Sequence, residues 1–191
     1  MDKISNLIED SIKVHKKFLN SAEILSNIDE IVKLFVQTYE NNHKVMFCGN
    51  GGSAADAQHI SAELSGKFYL DRPPLFAEAL HVNTSYMTAV ANDYSYDEVF
   101  SRLTEAKGSK GDILVGISTS GNSKNVYNAL KKAKIMGLHT VSLCGENKNI
   151  INTVSDICIN VPSTSTPRIQ EIHILIGHII CELVEEKLFT K

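Results

Sequence analysis

The sequence predicts an α/β protein, a three-layer α/β/α sandwich with a central parallel sheet, preceded by N-terminal helices. Three observations carry this. From Lys44 onward, short apolar runs alternate with segments of helical periodicity, the pattern of a parallel sheet covered on both faces. Two of the apolar runs end in polar, glycine-bearing loops that lead straight into helices. Before Lys44 there are only helical patterns.

The elements follow in order. Ile4, Leu7, Ile8, Ile12, Phe18 and Leu19 recur at helical spacing, as do Ile24, Leu25, Ile28, Ile31, Val32, Phe35 and Val36, so two helices lead the chain. They either flank the sheet or pack against another subunit. Val45 to Cys48 reads as a buried strand, Ala54 to Leu64 as a helix, and Ala77 to Val82 as a second strand. Ser85 to Ala91 and Tyr96 to Ala106 read as helices broken at Asn92-Asp93. Asp112 to Ile117 is the clearest strand; Lys124 to Met136 is a helix stopped by Gly137. Leu138 to Cys144 and Ile157 to Val161 are strands, the latter ended by Pro162, and Arg168 to Phe189 is a long, largely apolar helix.

With 191 residues and a net charge of −3, the chain is one domain's worth of core with no electrostatic footprint for nucleic acid or an acidic membrane. The charged N-terminus does not read as a signal peptide. The longest apolar candidate for a membrane span, Ile172 to Cys181, is short and contains His173 and His178. Cys48, Cys144, Cys158 and Cys181 form no CxxC pair, and read as buried free thiols of a cytoplasmic protein.

The chemistry points to the two loops, Cys48-Gly49-Asn50-Gly51-Gly52-Ser53 and Ser118-Thr119-Ser120-Gly121-Asn122-Ser123. Glycines and hydroxyls before a helix N-terminus suit an oxyanion, and the absence of lysine favours a phosphate monoester or a polyhydroxylated ligand over a nucleoside triphosphate. The plainer reading is a tight turn with Ser53 and Ser123 as helix caps. Gly49, Gly51 and Ala54 also make a G-x-G-x-x-A dinucleotide pattern, with Glu78 near the place of a ribose-binding acid, but the second loop has no part in such a site. His59 and Glu63 share one helix face and can bind zinc, or be an exposed polar pair. On the last helix Gln170 and His178 are separated by about 12 Å of rise and about 80° around the axis, with Glu171 and His173 as competitors by periodicity. His178 alone reads as a core histidine bonded to a carbonyl. Asn92 and Asp93 suit sugar hydroxyls as well as a turn.

Together these motifs resemble the phosphoheptose isomerases of the sugar-isomerase (SIS) domain group. The resemblance rests on Cys48 to Ser53, His59 to Gly66, Ala91-Asn92-Asp93, Gly116 to Ser123, and Arg168 to His178. It implies one SIS domain over 1–191, with N-terminal helices in 1–40 and the core in 41–191. It implies that Ser118, Thr119, Ser120 and Ser123, aided by Ser53, hold the substrate phosphate. Asn50, Gly51, Gly52, Asn92, Asp93, Glu63 and Gln170 would contact the sugar. His59, Glu63, Gln170 and His178 would bind one Zn²⁺ per subunit, and Glu63 and His178 would move protons through an enediol. The implied reaction converts D-sedoheptulose 7-phosphate to D-glycero-D-manno-heptose 7-phosphate, in a homotetramer with shared sites. Lys67 replaces an arginine, and Pro167 an aspartate, found in some members. The alternatives are a non-catalytic SIS protein that binds a partner such as a replication initiator, a sugar-phosphate-responsive regulator, and a dinucleotide oxidoreductase.

Overall fold

The computed structural model describes residues 2–190. Five parallel strands, β1 (Val45–Gly49), β2 (Ala77–Ala79), β3 (Ile113–Ser118), β4 (His139–Gly145) and β5 (Ile157–Val161), line up in the order β2-β1-β3-β4-β5. Every neighbouring pair is parallel, and β1 is in register with β3 from Val45↔Ile113 to Gly49↔Ile117. The helices are α1 (Asp2–Leu19), α2 (Ala22–Glu40), α3 (Gly52–Ser65), α4 (Thr84–Asp93), α5 (Val99–Lys107), α6 (Lys124–Ile135) and α7 (Thr166–Phe189). No helix among the described residues is long and apolar enough to cross a membrane.

The strand period of two divides the core into two layers. Val45, Phe47, Val115, Ile117, Val141 and Leu143 face α2, α3 and α7; Met46, Cys48, Leu114 and Cys144 face α4, α5 and α6. Both sheet faces are buried, which is why the strands read as continuous apolar runs. Helix α2 has Ser21 as N-cap, accepting the Ile24 N–H, and buries Ile24, Ile28, Ile31, Val32 and Phe35. Helix α1 is different: only Phe18 is buried, while Ile4, Leu7, Ile8 and Ile12 stand exposed.

Several boundaries differ from the sequence reading, and two of them change how the chain runs. Asn92 and Asp93 do not break the chain; they form the last turn of α4, where the Tyr94 N–H still donates to Val90. The break comes at Ser95, whose extended backbone and hydroxyl cap the short turn Tyr96–Glu98. Strand β2 stops at Ala79 rather than Val82, because it is an edge strand paired only to β1 and the chain turns away after Leu80 bonds Phe47. The thiols of Cys48, Cys144 and Cys181 are buried, and burial pushes each up to about 12, so they are inert at neutral pH.

Candidate active site

The order β2-β1-β3 makes the chain leave β1 and β3 in opposite directions across the sheet, opening a crevice at their C-terminal ends. Both polar loops lie there. In the first, Gly51 takes φ +57° and is the N-cap of α3. Ser53 is therefore inside the helix, not its cap, and is buried. A glycine supplies the left-handed conformation and leaves the helix start without a side-chain cap. In the second loop Gly121 takes φ +65°, and a Cβ there would stand 2.3 Å from that of Asn149. Ser123 does occupy the N-cap of α6, but its hydroxyl caps nothing. It lies 2.9 Å from the Ser118 hydroxyl, with Ser120 3.4 Å from Ser118. Three hydroxyls thus converge at a helix N-terminus, the arrangement that favours an anion. The Thr119 carbonyl is held by the Gly145 N–H.

The loops are joined. Asn50 and Asn125 exchange two amide hydrogen bonds, each 2.9 Å, and the Tyr96 hydroxyl donates to Asn50 at 3.0 Å. Asn125 and Tyr96 escaped the sequence reading; the signal for Asn125 was a polar residue at a position of α6 that turns inward. Asn92 and Asp93 are exposed and bonded to each other. Gln170 lies over the first loop: a Cβ on Gly52 would be 2.1 Å from its Nε2.

Helices α3 and α7 run side by side below this crevice, and they bring three of the expected residues together. His59 Nε2 and Glu63 Oε1 are 3.1 Å apart, and the rings of His59 and His178 are 5.1 Å between centroids. Ligand atoms of His59, Glu63 and His178 all lie within 4.8 Å of one another. Phe68 packs on His178 at 5.8 Å. Gln170, the fourth residue of the expected metal set, is at Gly52, two turns before His59 on α3.

The competitors on α7 are occupied elsewhere. His173 is the core histidine: fully buried, with Nε2 3.3 Å from the Cys144 carbonyl, and burial lowers it to about 4. Glu171 accepts from Ser11 and pairs with Arg168, both at 2.7 Å. Glu78, the acid of the dinucleotide reading, pairs with Lys107.

A second pair missed in the sequence supports the cluster. Arg72 and Glu185, both 2% exposed, meet at 2.9 Å. Glu185 also accepts the backbone N–H groups of Phe68, Tyr69 and Leu70, and Arg72 donates to the carbonyls of Glu63, Leu64 and Gly66. Burial opposes the Glu185 charge, but these donors outweigh it and hold its carboxyl below the ordinary range. The pair caps the C-terminus of α3 and lays Phe68 against His178. Nothing local announces a bond between residues 113 apart.

A parallel sheet with a hydroxyl-lined crevice at its switch point is the SIS architecture, and the family model described as "SIS domain" matches residues 8–145. Among solved structures, a phosphoheptose isomerase from Francisella tularensis aligns with TM-score 0.92 and 34% identity, over 97% of each chain. That from Neisseria gonorrhoeae aligns with TM-score 0.90 and 39% identity, over 97% of this chain and 98% of the other. In sequence, the phosphoheptose isomerase of Clostridium acetobutylicum is 50% identical, over 95% of this chain and 93% of its own. The chain belongs to the phosphoheptose isomerases, a family of SIS-domain enzymes.

Proposed function

We propose that this isomerase converts D-sedoheptulose 7-phosphate to D-glycero-D-manno-heptose 7-phosphate, the first step toward an activated heptose for lipopolysaccharide or capsule, in the cytoplasm. The observation that carries the reading is the pairing, in one small fold, of a hydroxyl cradle at the N-terminus of α6 with a carboxylate and imidazole between α3 and α7. Ser118, Thr119, Ser120 and Ser123, with Ser53, hold the phosphate. Asn50, Gly51, Gly52, Asn92, Asp93 and Gln170 face the sugar. Binding the ester end fixes the far end of the chain, so the reacting carbons arrive oriented. Glu63 and His178 move the protons: as one leaves C1 of the ketose the C2 carbonyl oxygen takes one up, giving the enediol, and as one is returned at C2 the C1 hydroxyl gives one up, leaving the aldose.

His59, Glu63 and His178 fit a zinc ion in donor type, and the 3.1 Å between His59 and Glu63 is close to the ~3.4 Å edge of a tetrahedron with ~2.1 Å bonds. Gln170 is the fourth residue the family resemblance assigns. Zinc held there supplies Lewis acidity for the substrate carbonyl or order for the ligands. The exposed stripe Ile4, Leu7, Ile8 and Ile12 on α1 supports a homotetramer whose subunits meet through the N-terminal helices. The SIS domain extends past the matched segment to α7, since Ile169, Ile172, Ile176 and Val184 share one core with α2, α3 and the sheet. The meeting of Glu63 with His178 favours catalysis over a purely partner-binding role.

The test is incubation with sedoheptulose 7-phosphate, with aldose formation followed by NMR. Glu63→Gln and His178→Ala are each expected to abolish turnover with the fold intact. Near-normal turnover in both removes the mechanism.

A further inference from the structure

We propose that Asn125, aided by Tyr96, is a positioning residue that locks the Asn50 carboxamide so that it offers the sugar a hydrogen-bond donor and never an acceptor. The inference rests on the reading that the sugar lies at the first loop. The orientation follows from the backbone outward. The Val126 N–H can only donate, and it bonds one amide atom of Asn125 at 2.9 Å; that atom is the oxygen. The other amide atom of Asn125 is therefore its nitrogen, and the atom of Asn50 that it meets at 2.9 Å is Oδ1. Asn50 Nδ2 then donates back to Asn125 Oδ1 at 2.9 Å. Tyr96 donates its hydroxyl to the same Asn50 Oδ1 at 3.0 Å, which uses the second lone pair. The Asn50 carboxamide keeps a single uncommitted function, one N–H of Nδ2. That group suits a sugar hydroxyl or carbonyl oxygen.

The clamp also sits where it would matter. Asn125 is 3% exposed in the first turn of α6, directly behind the hydroxyl loop. Tyr96 comes from the turn after Asn92-Asp93. One network therefore ties the phosphate loop, the first loop and the α4 end to a common geometry.

The test is a double-mutant cycle with sedoheptulose 7-phosphate and, separately, inorganic phosphate as competitive inhibitor. Asn125→Asp keeps the acceptor for Val126 but removes the donor to Asn50. Asn50→Ala and Asn125→Asp are each expected to lower kcat/KM about tenfold, the loss of about one positioned hydrogen bond. The double variant is expected to be no worse than Asn125→Asp alone, and phosphate inhibition of Asn50→Ala, which adds no charge beside the hydroxyl loop, to stay within about twofold of the parent. Tyr96→Phe, at a half-exposed position that does not threaten folding, is expected to cost about threefold, and nothing further in the Asn50→Ala background. Losses that multiply in the double variants, or an Asn125→Asp enzyme at full activity, overturn the proposal. Full activity of Asn50→Ala instead overturns the placement of the sugar at this loop.

Discussion

Substituting Gly177 by alanine separates helix propensity from helix packing, and tests whether the α3–α7 contact sets the site. Gly177 is buried in α7, and a Cβ built on it would stand 2.5 Å from Ile60 Cδ1 and 2.6 Å from Ile60 Cγ1. Ordinary carbon contacts lie at about 3.8 Å, so the overlap is about 1.2 Å against two atoms of a β-branched side chain. Ile60 is 2% exposed, so any movement of its side chain must be absorbed by the surrounding core. On an exposed helix, glycine to alanine would gain about 1 kcal/mol. Here overpacking costs about 1–3 kcal/mol, for a net loss of zero to about 2 kcal/mol. The larger effect is geometric. His59 and Glu63 ride on α3 and His178 on α7, so a shift of about 1 Å between the helices separates the proposed zinc donors, which would have to meet within a few tenths of an ångström. We expect zinc affinity, read by competition with a chromophoric chelator, to fall at least tenfold, as for lost support of a ligand shell. Turnover should fall with it while the thermal midpoint moves by only a few degrees. Adding Ile60→Val, which removes the atom at 2.5 Å, should recover part of both. An alanine variant that binds zinc and turns over like the parent would falsify the reasoning.

Other outcomes follow from the same structure. Arg72→Ala strands the buried Glu185 carboxylate and is expected to cost about 3–5 kcal/mol in urea unfolding, whereas replacing both partners by apolar residues should cost less; a loss under about 1 kcal/mol for Arg72→Ala contradicts the account. Burial holds His173 at about 4, below the ordinary value of 6.5, so between those values the unfolded chain binds a proton that the folded one does not. Stability at neutral pH is therefore lost as pH falls from about 6.5 toward 4, by about 3 kcal/mol in full. Urea titrations at pH 7 and pH 5 read this, and His173→Gln should flatten the slope in that window; an unchanged slope sinks the assignment. Ile8→Glu with Ile12→Glu, at residues 56% and 47% exposed, should leave the subunit folded but reduce the mass seen by light scattering. An unaltered mass, or an active parental monomer, rules out α1 as the contact.

The sequence alone was enough for the order of strands and helices from Val45 to Phe189, because a sheet buried on both faces writes itself as apolar runs and helices as a 3.6 period. It was also enough to place the two strand-to-helix loops, since glycines and small hydroxyl residues between an apolar run and a helical period mark such a turn. Helix boundaries near Asn92 and Ser53 were less legible. A polar residue is as compatible with a last or first turn as with a cap, and the choice was made by Ser95 and by the left-handed Gly51. Within α7, periodicity left His173, His178, Gln170 and Glu171 as competitors; packing separated them, by seating His173 under the Cys144 carbonyl and setting His178 beside His59. Arg72 with Glu185, and Asn50 with Asn125, were beyond reach of any local pattern. Each joins residues far apart in the chain, and the free energy that pairs them exists only once the sheet and the α3–α7 contact have brought their backbones together and excluded water.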